Sequence, residues 1–80
     1  MNMGKIQLTV MIWEEEGLYL SKCPEIEVSS CGNSPQEALD NIHEAINLYL
    51  DNARALGMME EIELALRARH KCTSMIEVEA

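Results

Sequence analysis

The stretch that most constrains this chain is Ser34-Pro35-Gln36-Glu37 together with the apolar stripe that follows it. The order Ser-x-x-Glu is a capping box. The Ser34 hydroxyl accepts from the backbone N–H of Glu37, and the Glu37 carboxylate reaches back to the N–H of Ser34. Pro35 suits the first helical position, where no donor is missed. Ala38, Leu39, Ile42, Ala45, Ile46, Tyr49, Leu50 and Ala53 then recur at the spacing of a helix with one buried face. Gly57 supplies a left-handed residue to close it. A helix over residues 34–56 is therefore predicted, and the rest of the chain must provide the surface it covers.

Eighty residues make one small domain, 1–80, whose limited core favours association. With six Met and no Phe, that core has to be aliphatic. Residues 5–14 alternate, placing Ile6, Leu8, Val10 and Ile12 on one face and Gln7, Thr9, Met11 and Trp13 on the other. Glu14-Glu15-Glu16-Gly17 is a charged turn, so a hairpin into residues 18–23 is expected, with Leu18 and Leu20 on the core face and Tyr19, Ser21 and Cys23 opposite. Pro24 lacks a donor and interrupts the ladder before a short third strand over residues 27–31.

Residues 58–69 read as a second helix with Met58, Met59, Ile62, Ala65 and Leu66 on one side and Glu60, Glu61 and Glu63 near its start. Residues 73–79 alternate again, Ile76 and Val78 against Met75, Glu77 and Glu79, and predict a fourth strand. The expected fold is α+β, β-β-β-α-(α)-β, with one sheet of order 3-2-1-4 and helices on one face.

The net charge of −8 opposes binding to a phosphate backbone and suits a basic protein partner. Three cysteines, Cys23, Cys31 and Cys72, form an odd set with no CxxC pair and no apolar leader before them, which points to free thiols in a cytoplasmic protein. No run approaches the length needed to span a membrane. A zinc site drawn from Cys23, Cys31, His43, His70 and Cys72 lacks the paired ligand spacing that zinc uses, and a Cys–His nucleophile drawn from them lacks any flanking signature. The basic run Arg67, Arg69, His70, Lys71 reads as a helix-end complement to the dipole. Neither a catalytic residue nor a cofactor site is predicted.

Three runs together resemble the amino-terminal domain of the HicB antitoxin family: Gly17-Leu18-Tyr19-Leu20-Ser21-Lys22-Cys23-Pro24-Glu25-Ile26, then Gly32-Asn33-Ser34-Pro35-Gln36-Glu37-Ala38-Leu39, then Asn41-Ile42, Glu44-Ala45-Ile46 and Tyr49-Leu50. They span about residues 5–56. The resemblance implies a partial ribonuclease H-like fold and a non-enzymatic antitoxin that binds a small basic ribonuclease toxin of the HicA type. Many relatives carry a further DNA-binding segment, which this chain, ending at Ala80, is expected to lack. The helix-forming stretch after Gly57 replaces a short proline-containing loop of the relatives. An orphan self-associating domain or adaptor is the alternative, and a metal-dependent nuclease a more remote one, since the core-facing strand positions carry no acid. The expected partner or homo-oligomer surface comprises Met11, Trp13 and Tyr19 on the uncovered sheet face and Leu48 and Leu64 on the helices, with a homodimer as the default assembly.

Overall fold

A computed structural model describes residues 6–79. Strands β1 (Met11–Glu15), β2 (Leu18–Cys23) and β3 (Val28–Gly32) form an antiparallel meander of order β1-β2-β3, followed by helices α1 (Pro35–Ala55) and α2 (Met59–Leu66). The fold is α+β as expected. Glu15 pairs with Leu18, and the two loop residues between them, Glu16 and Gly17, both take positive φ (52° and 84°). That is the twist of a type I′ hairpin, and Gly17 accepts it without strain.

The α1 signals are realised almost residue for residue. Ser34 sits in extended backbone and its Oγ accepts from the N–H of Glu37 at 3.0 Å. The Glu37 carboxylate reaches one residue further back than predicted, accepting from the N–H of Asn33 at 3.2 Å. At the far end Gly57 N–H donates to Arg54 O and Met58 N–H to Ala53 O, with Gly57 at φ 70°, a Schellman closure. The buried face is Ala38, Ile42, Ile46, Leu50 and Ala53. Full burial of Ile42, Ile46 and Leu50 stabilises the fold by roughly 1.5–3 kcal/mol each.

β1 is shorter than the predicted strand, and of the residues before it Lys5 lies outside the described set. Ile6, Leu8 and Val10 do turn inward, half-buried against the core, but without a ladder. The reason is β2, which stops at Cys23 where Pro24 turns the chain away. The Thr9 N–H, left without a strand partner, donates instead to both Glu25 carboxylate oxygens at 3.1 and 3.0 Å.

On β2 the predicted faces are exchanged. Ser21 is buried and its hydroxyl donates to Ala38 O of α1 at 3.0 Å. Cys23 is fully buried, whereas Leu18 is 38% exposed. Tyr19, Ser21 and Cys23 therefore face the helix, and Leu18 and Leu20 face away. Closeness of approach dictates this: a Cβ on Gly32, which pairs with Tyr19, would stand 2.6 Å from the Ala38 backbone nitrogen. Where α1 lies this near β2 and β3, the small residues Ser21, Cys23 and Gly32 fit beneath it, and Tyr19 on the same side stays half-buried.

The core joins Cys23, Ile26, Ile42, Ile46, Leu50 and Leu66. α2 is shorter than the predicted 58–69. Arg67 closes it and pairs with Glu63 at 2.6 Å, and Lys71, beyond it, crosses to Glu25. Arg67 of the basic run thus stands at the helix end as expected, while Lys71 makes a longer-range ion pair that the helix-end reading did not include. Residues 73–79 form no strand with the sheet; Met75, Ile76 and Val78 are 97%, 84% and 78% exposed. The sheet has three strands in place of the expected four.

Candidate protein-binding face

With α1 and α2 on one side, the other side of the sheet is uncovered by any described residue. Strand alternation and register define what it carries. Trp13 of β1 stands opposite Leu20 of β2, which stands opposite Cys31 of β3. Beside this row lie Met11 opposite Lys22, and Lys22 opposite Ser29; at the hairpin end lie Glu15 and Leu18. Met11, Trp13 and Leu18 are about two-fifths exposed, at 39%, 41% and 38%. Their inner atoms pack on neighbouring strands while the rest meets solvent. The result is an apolar strip centred on the indole, with Glu15 and Glu16 at one end and the exposed Lys22–Glu27 pair, 3.2 Å apart, at the other.

Of the five residues singled out from sequence, Met11 and Trp13 belong to this strip. Tyr19 does not: it shares the helix-covered side with Ser21 and is half-buried opposite Glu14 and Gly32. Leu48 (62% exposed) and Leu64 (88% exposed) lie on the helical layer, across the sheet from Trp13, and the exposure of both shows that they do not cover one another. Leu18 and Leu20, which the alternation of apolar residues places on the core face, instead complete the strip. The signal that could have placed them was the run of small residues, Ser21, Cys23 and Gly32, marking where a helix comes close.

A second polar centre is built around Glu25. Its carboxylate receives the Thr9 N–H, the Lys71 ammonium at 3.0 Å and, more weakly, the Cys23 thiol at 3.5 Å. Burial alone would raise its pKa, but the hydrogen bonds from Lys71 and Thr9 outweigh it and bring the group from an ordinary 4.5 down to about 2. Lys71 also donates to Gln7 O at 2.7 Å, so one side chain ties the stretch after α2 to the stretch before β1. Burial pushes the Cys23 thiol up, with the Glu25 charge adding to that, so it stays protonated and is a poor nucleophile. Cys31 and Cys72 are exposed and free. Among the described residues no group of three or more His, Cys, Asp or Glu is placed to hold a metal ion. No described helix is long and apolar enough to cross a membrane.

The chain matches no protein-family model, no curated protein and no solved structure.

Proposed function

We propose that the chain is a HicB-like antitoxin domain, a non-enzymatic cytoplasmic module that neutralises a small basic ribonuclease toxin by docking it on the open sheet face. The observation that carries this reading is the strip Met11, Trp13, Leu18 and Leu20 on the uncovered side of the sheet, set in a chain of net charge −8. A desolvated aromatic anchor inside a polar rim is how protein interfaces concentrate their affinity. The acidic balance steers a basic partner toward it. Trp13 is the anchor; Met11, Leu18 and Leu20 surround it.

Coexpression with the product of the adjacent reading frame tests the proposal. The wild-type chain is expected to form a stable complex and restore growth, and Trp13→Glu, at a half-exposed position that does not support the core, is expected to lose both. A stable complex indifferent to that substitution would move the site elsewhere, and no complex with any basic neighbour would reject the antitoxin reading.

A self-associating domain without a toxin is the second reading. Residues 73–79, alternating but unpaired, favour it. A fourth strand beside β1 would complete the 3-2-1-4 sheet that a right-handed crossover predicts.

A further inference from the structure

We propose that residues 73–79 of one copy add as a strand to the free edge of β1 in a second copy, reciprocally, giving a twofold dimer. The proposal rests on self-association and is independent of whether the open face binds a toxin.

Two unpartnered features of the same chain complement one another. The first is the edge. β1 ends the sheet order, and among the described residues only β2 pairs with it, so its backbone groups on the other flank are open to a further strand. Beside it, between residues 6–10 and α1, runs an apolar groove of about 240 Å³ lined by Ile6, Leu8, Val10, Leu39 and Ile46, with His43 at its rim. Leu39 and Ile12, at 40% and 37% exposed, are left half-covered.

The second feature is the tail. Thr73-Ser74-Met75-Ile76-Glu77-Val78-Glu79 has the period-2 pattern and β-branched content of a strand, yet every residue in it is exposed. Laid along β1, it would turn Ile76 and Val78 into the groove, leaving Met75 beside Trp13 and Glu77 and Glu79 in solvent.

The occupant is a second copy because this tail leaves its own body. Lys71 fixes its base on Glu25 and Gln7, and from Cys72 onward the chain stands clear. The radius of gyration, 14.3 Å, exceeds the roughly 11.6 Å of a compact chain of this length. An edge and a strand on one chain, each lacking its match, satisfy each other in a closed pair.

Sedimentation of the full chain, the double variant Ile76→Glu/Val78→Glu and the groove variant Leu39→Glu tests this. All three positions are exposed or half-exposed, and circular dichroism should show unchanged helix. The wild type is expected to be a dimer, and each variant at least about tenfold weaker, since each buries a charge in the groove. Mixing the two variants should recover a heterodimer through the one tail and one groove left intact. A monomeric wild type, whose tail closes on its own sheet, would overturn the proposal. So would a dimer indifferent to the tail substitutions, or a mixture that stays apart. Leu18→Glu, on the open face but on β2 and away from the β1 edge, should leave the dimer intact, so failure of the exchange and failure of the toxin-binding face are read separately.

Discussion

Glu25 shows how one side chain can join distant parts of a small fold. Its carboxylate accepts from Thr9 and Lys71, and its pKa of about 2 lies below the ordinary 4.5. A depressed acid stabilises the folded state above its unfolded pKa, and that contribution is lost as pH falls through the folded value. Stability is therefore expected to decline as pH falls from 4.5 towards about 2. Glu25→Gln should lower the urea midpoint at pH 7 and flatten that acid limb; an unaltered pH profile would remove Glu25 from the account. Gly32 makes the opposite kind of contribution, by having no side chain. Gly32→Ala would set a methyl 2.6 Å from backbone of α1, which cannot rotate away. A loss of about 1–3 kcal/mol is expected in denaturant unfolding. These residues were the least legible in the sequence. Hydrophobicity placed Leu18 and Leu20 inside and Ser21 outside, while the nearness of α1 selected for size and reversed them. The Glu25–Lys71 pair joins positions that no local pattern connects.

At the scale of elements, α1 was readable because its determinants are local: a cap, a proline, a stripe and a closing glycine. Ser34→Ala should cost about 1 kcal/mol, read as a lowered thermal midpoint followed by helix signal, since the Glu37 N–H loses its acceptor. The strands were less readable. Alternation over residues 6–10 does report inward-facing side chains, but burial against α1 satisfies it without a ladder. Alternation over residues 73–79 meets no ladder among the described residues, and its side chains stay exposed. In both places the pattern identified which side chains want cover and was silent on what hydrogen-bonds the backbone. α2 came out shorter than its apolar periodicity suggested: Arg67 is its C-cap, and the i,i+4 pair with Glu63 supports the last turn before the chain leaves the helix.

For the whole molecule, the informative asymmetry is between two sides of one sheet. The side under the helices buries Ser21, Cys23 and Gly32 against α1, and the other keeps an indole, a thioether and two leucines partly in water. If the open face recruits a basic partner, Trp13→Glu should weaken the complex by about 2 kcal/mol or more, measured calorimetrically, and added salt should slow its formation. Net charge and the position of Trp13 were both visible in the sequence. The full strip was not, because it depended on which half of β2 the helix chose to cover.

The seam of Ser21, Gly32 and Ala38 also acts through the sheet. A hydroxyl bonded across to a helix carbonyl, and a glycine held hard against the first turn, leave β2 and β3 little freedom to flex. Their curvature, and so the spacing of the side chains on their far surface, is set before any encounter takes place. If a partner docks on the indole, little rearrangement of these strands is required, and the entropy of arranging them has been spent during folding.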